Sequence, residues 1–164
     1  HVTPFPTRLE DMNRLKSKLE SNALLFSWLA VAFVAMFIFV MSARSGFEID
    51  NNTGIFTVIK NALSQAAFAV AGHDVDVSPV GHFCEFFVFG LALQNALTKT
   101  LGKRKAPAVA IIVLAIVLAS AYGATDEFHQ LFVPGRSCDP ADWLVDTIAA
   151  TIGILSFNAM KKRR

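Results

Sequence analysis

The sequence predicts an all-α membrane protein with four transmembrane helices, both termini cytoplasmic, and an outer interfacial helix between spans 1 and 2. Three observations carry this. Hydrophobic residues make up 54% of the 164, more than one soluble domain of this size needs to fill its core. Four apolar runs, residues 23–41, 80–97, 106–124 and 143–160, each come near the roughly 20 residues that cross a hydrocarbon layer about 30 Å thick. Finally, four spans put every Lys and Arg on one side except Arg44, Lys60 and Arg136, and basic connections face the cytoplasm. Most acids fall on the opposite side. The formal net charge of +2 therefore hides a dipole. Anchoring on anionic inner-leaflet lipid accounts for the basic residues, and no nucleic-acid partner is needed.

Residues 1–22 form a cytoplasmic segment in which Leu9, Met12, Leu15 and Leu19 recur on one helical stripe among mixed charges. They predict a helix lying on the inner surface. The first span follows. It is read as retained and not as a signal peptide, because Ser42-Ala43-Arg44 places a charge where a cleavage site needs small residues. Arg44 then either snorkels to the outer interface or leans into a site there.

Between the first two spans, Ile55, Val58, Ile59, Ala62, Leu63, Ala66 and Val70 fall on one helical face, with Thr57, Lys60, Asn61, Ser64 and Gln65 opposite. This is an interfacial helix and not a fifth span. Crossing would bury Lys60 at a cost of about 2.5–3.5 kcal/mol and send the next basic loop outside. His73, Asp74 and Asp76 form an acidic turn, solvated or metal-binding.

Ser78-Pro79 is a helix start, Ser as cap and Pro in the first turn. His82 and Glu85 follow at i and i+3 on one face. A carboxylate one to two turns into a span is costly unless paired or wetted. After the basic loop at residues 99–105, the third run is uniformly aliphatic until Ser120 and Tyr122.

There the character changes. A helix continued past Thr125 stacks Asp126 on Gln130 and sets Glu127 beside it. Val133-Pro134-Gly135-Arg136 reads as a tight turn that points Arg136 back at those acids. Asp139-Pro140-Ala141-Asp142 opens the fourth helix, with Asp139 as N-cap. Asp142 either serves the helix dipole or belongs to a site. Asp146, a turn deeper, is explained by neither capping nor solvation. His129 lies off the Asp126 face and reads as an interface histidine. Cys84 and Cys138 lack CxxC spacing and leave a disulfide or shared metal open.

Short loops between antiparallel spans bring His82, Glu85, Asp126, Glu127, Gln130, Arg136, Asp142 and Asp146 to one level. They are either a polar network fixing helix register or a pocket. Intramembrane ionisable groups favour the pocket. In that reading Arg136 holds a phosphate or carboxylate by paired hydrogen bonds. Glu85 or Glu127 is the general base, helped by His82. Gln130, Asp142, Asp146 and Arg44 complete the binding residues, and the carboxylates could take a divalent metal.

At these residues the chain resembles the VanZ family of small membrane proteins. The resemblance lies in His82-Phe-Cys-Glu-Phe with Gly90, in Asp126-Glu127 and Gln130-Leu-Phe-Val-Pro-Gly-Arg136, and in Asp142 with Asp146. It runs from about Ser42 to the C-terminus, making residues 23–164 a VanZ-like transmembrane domain. Asp146 stands where the family commonly has Asn, and Ala150 where it has Gly. The resemblance implies a multi-pass envelope protein of a prokaryotic plasma membrane, some relatives of which confer teicoplanin resistance. The expected partners are membrane lipids and a lipid-linked or peptidoglycan-related precursor. A non-catalytic accessory protein and a small lipid or proton-coupled transporter are the alternatives. The second suffers from the lack of a visible internal repeat.

Overall fold

The computed structural model describes residues 8–43, 58, 61, 62, 64–66, 68, 69, 72, 73 and 78–163. Four long helices carry the fold: α1 (Arg8–Ser42), α2 (Ser78–Leu101), α3 (Ala108–Gln130) and α4 (Pro140–Lys162). All four are long and apolar enough to span a membrane, and no strand occurs among the described residues. A 3-10 turn, Gly102–Arg104, follows α2 and closes on Lys105, whose N–H bonds to the Gly102 carbonyl and whose φ is 55°.

The first helix differs from expectation. The amphipathic stretch is helical, but it is continuous with the first apolar run in a single helix of 35 residues. No Gly or Pro occurs between Arg8 and Ser42 to break it. At about 1.5 Å per residue it measures roughly 50 Å, well beyond a hydrocarbon layer of about 30 Å. It is longer than a single crossing needs. Lys103 Nζ bonds Glu20 Oε2 at 3.0 Å and Trp28 Nε1 donates to Thr100 Oγ1, tying it to the end of α2. The stretch expected as an interfacial helix is helical at residues 58, 61, 62, 64–66, 68 and 69, with Val58 and Phe68 exposed. Arg44, Asp74 and Asp76 lie outside the described residues.

Helix α2 is central and touches α1, α3 and α4, while α4 packs on α2 and α3. The α2–α4 approach is the tight one. A Cβ at Gly90 would collide with the Ala150 backbone, and one at Gly153 with the Phe87 carbonyl. Small residues permit this closeness where van der Waals contact, not water exclusion, holds helices together. Gln94, 1% exposed, adds a polar clasp by donating to Asn158 Oδ1 at 3.2 Å. Outward, Leu29, Phe33, Val113, Val117, Ile148 and Leu155 are exposed. Apolar side chains outside with polar ones inside suit a lipid solvent.

Candidate functional site

Each long helix presents one stripe inward, and the stripes turn polar at the same end. On α1 the buried residues are Ser27, Val31, Ile38 and Ser42, so the stripe ends in a hydroxyl. On α3 they are Ile111, Ala115, Ala119 and Gly123, then Asp126, Glu127 and Gln130. The four-residue spacing that packs the aliphatic half therefore also delivers the acids inward. On α4 the stripe begins at Asp146 and continues through Ala149, Ala150, Gly153 and Ile154. On α2 buried His82 precedes buried Phe86 and Phe89.

The local chemistry behind this placement is as the residues suggest. Helix α3 continues to Gln130. Arg136 N–H closes on the Val133 carbonyl at 3.1 Å, with Gly135 at φ +78°, the positive angle that a Pro-Gly turn demands of its third residue. Asp139 Oδ1 accepts from Ala141 N–H at 2.8 Å and caps α4, with Pro140 in the first turn.

Two hydrogen-bonded sets, side by side, involve all four helices. Ser42 Oγ donates to Asp126 Oδ2 at 2.7 Å, linking α1 to α3. Gln130 Nε2 donates both to Asp126 Oδ2 at 3.2 Å and to Glu127 Oε1 at 3.1 Å. Asp139 N–H donates to Glu127 Oε2 at 2.8 Å, so the cap of α4 also fixes an acid of α3. His82 Nδ1 lies 3.1 Å from Asp146 Oδ1, linking α2 to α4. His82, Asp126, Glu127 and Asp146 each offer one ligand-type atom, and these four atoms lie within 4.8 Å of one another. All four residues are buried, Asp146 completely.

Beneath the cluster Phe86, Phe89 and Tyr122 form an aromatic floor, ring centroids 4.9–6.1 Å apart. Tyr122 Oη donates to the Ala35 carbonyl at 2.6 Å. Gly123 leaves room there, since a Cβ on it would touch Asp146 Cβ, Phe86 and Trp143 at 3.4 Å each. To the side, an apolar groove of about 340 Å³ runs between α1 and α2, lined by Phe33, Val34, Phe37, Cys84, Val88 and Glu85.

Of the residues expected at the site, His82, Asp126, Glu127, Gln130 and Asp146 meet directly. Glu85 is half-buried, lines the groove and feels the charges of His82, Asp126, Asp146 and Arg136. Asp142 is half-buried and its charge acts on His82, Glu127 and Asp146. Arg136 departs from expectation. The turn brings it within electrostatic range of Glu85, but among the described residues no ion pair joins its guanidinium to an acid, and its buried Nε has no partner. The turn fixes the backbone of Arg136, not the reach of its long side chain. His129 is half-buried and stacks on Phe39 at 4.4 Å, an interface residue. Cys84 and Cys138 are free and outside the four-residue group.

Sequence reasoning passed over Ser42 as a participant, although it lies one turn beyond Ile38 on the inward stripe of α1. It also passed over Gln94 and Asn158, whose only signal was a pair of amides within apolar runs.

No curated protein and no solved structure matched the chain significantly. The family model described as VanZ/LLP1 matches residues 26–161, which take in most of the first apolar run, all of the other three, and every hydrogen-bonded residue of the cluster. This membrane protein therefore belongs to the VanZ/LLP1 family.

Proposed function

We propose that the cluster is an outward-facing site that binds or acts on a lipid-linked or peptidoglycan-related component of the cell envelope. The observation that carries this is a buried, acid-rich cluster beside an apolar groove between α1 and α2, with Glu85 lining the groove and lying within electrostatic range of His82, Asp126 and Asp146. A molecule with a hydrocarbon chain and a charged head matches that arrangement. The chain lies between α1 and α2 in contact with lipid, and the head reaches the polar end. Arg136, with its unengaged Nε, is the group for an anionic head. Glu85 or Glu127 is the base and His82 its helper.

A purely structural network explains less. Burying an ion costs several kcal/mol unless it is paired and its lone pairs are satisfied. Here Asp146 Oδ2 and Arg136 Nε are buried without partners, an arrangement poorly suited to register alone. Charge supports the outward orientation. Lys99, Lys103, Arg104, Lys161 and Lys162 stand at the helix ends remote from the cluster, the side that a cytoplasm would face.

The test is binding of a long-chain polyprenyl phosphate by the full chain in detergent, beside inorganic phosphate and the uncharged prenol. Wild type is expected to prefer the polyprenyl phosphate. Glu85→Gln, Glu127→Gln and Arg136→Ala should each weaken it at least about tenfold, or about 1.4 kcal/mol, with helicity unchanged. Cells expressing wild type should lose teicoplanin susceptibility and those expressing Glu127→Gln should not. Wild-type behaviour in all three variants sinks the reading. Loss of folding or abundance without loss of binding would instead mark a structural accessory.

A further inference from the structure

The four converging ligand-type atoms are chemically mixed: one imidazole nitrogen from α2, two carboxylate oxygens from α3 and one from α4. Two atoms on a common ion are at most twice a metal–ligand distance apart. With bonds of about 2.0–2.6 Å that limit is roughly 4–5 Å, and the set lies within 4.8 Å. Four atoms this close have a common point no more than about 2.9 Å from each, so one ion can touch all four with inward shifts of less than about 1 Å.

A second observation points the same way. Asp146 is 0% exposed, and its Oδ2 is buried with no hydrogen-bond partner, beside the other acids. A buried carboxylate oxygen without a donor lacks what it needs, and a cation supplies it. The acids on α3 are also held from behind in the manner of metal ligands, Asp126 by Ser42 and Gln130, Glu127 by Gln130 and the Asp139 N–H. Among the described residues no Lys or Arg forms an ion pair with these acids; their one imidazole neighbour is His82, 3.1 Å from Asp146, and imidazole binds a metal in its neutral form.

We propose that His82, Asp126, Glu127 and Asp146 bind one divalent cation. Three carboxylates select a hard ion and one imidazole favours the transition series, so Mn²⁺ is the class that satisfies both. The ion offsets the stacked negative charge and stands beside Glu85, where an anionic head group bridges to it. This deepens, and rests on, the reading of the cluster as the binding site; with His82 and Glu127 engaged as ligands, Glu85 is the base of the two candidates.

The experiment is Mn²⁺ titration of the full chain in detergent, followed by electron paramagnetic resonance with detection of nitrogen coupling. One Mn²⁺ per chain with a single imidazole nitrogen is expected. His82→Gln should remove the nitrogen signal, and Asp146→Asn should weaken binding at least about tenfold, with helicity checked by circular dichroism. No binding, or binding without nitrogen coupling in wild type, overturns the site whether or not the variants fold. So does unchanged affinity in a folded Asp146→Asn. Polyprenyl phosphate bound by metal-free protein that takes no Mn²⁺ removes the ion and leaves the proposed function. Mn²⁺ bound as described with no lipid preference removes the function and leaves the ion.

Discussion

Gly90→Ala adds one methyl group at the closest helix contact, and its effect can be worked from the geometry. The new Cβ would stand 2.9 Å from both the Cα and the carbonyl carbon of Ala150, and nearer still to its oxygen. Ordinary contact begins at 3.4 Å, so α2 and α4 must part by at least about half an ångström, as backbone atoms cannot rotate aside. Overpacking of this kind costs about 1–3 kcal/mol. Replacing Gly by Ala in a helix returns up to about 1 kcal/mol. The net expectation is destabilisation of about 1–2 kcal/mol. Gly81→Ala is the control, on the same helix with nothing within 4 Å of its Cβ; it should be neutral or slightly stabilising. Reversible unfolding in mixed micelles, followed by circular dichroism, compares the two. Because Asp146 lies one turn from Ala150, Gly90→Ala should also loosen the His82–Asp146 contact and weaken ligand binding. Equal stability of the two variants would refute the close approach of α2 and α4.

Two further outcomes test the surroundings of the site. Ser42→Ala removes the hydrogen bond to buried Asp126 and should cost about 1.5–3 kcal/mol, the range for a bond to a charged group, measured by the same unfolding assay. Cys138 is exposed in the connection between α3 and α4, whereas Cys84 lines the apolar groove. In intact cells a membrane-impermeant maleimide should label Cys138 and leave Cys84 unmodified; labelling of Cys138 only after lysis would invert the proposed orientation.

Much of this protein is legible in its sequence. Apolar runs of membrane-spanning length gave the four helices, because a helix must satisfy its own backbone wherever lipid offers no hydrogen bonds. Local rules placed the cap at Asp139, the Pro-Gly turn before Arg136 and the stacking of Gln130 on both acids of α3. Each depends only on residues a few positions apart. The inward direction of Asp126, Glu127 and Asp146 was legible too, since these residues extend the spacing of small residues along their own helices.

What only the tertiary structure decided depends on which helix meets which, and how closely. Ser42 became a partner of Asp126, and His82 of Asp146, through contacts 84 and 64 residues apart in sequence. Helical periodicity says which way a side chain faces but not what faces it. The same limit hid the Gln94–Asn158 clasp and left the separation of α2 and α4 unread, although Gly90 and Gly153 set it. The amphipathic helix and the first span, read as two elements in sequence, are one helix, Arg8–Ser42, because a helix stops at a breaker or a cap and not where its polarity changes. Arg136 marks the opposite boundary. Its turn was determined by four adjacent residues, while the end of its side chain is set by surroundings that no local pattern describes.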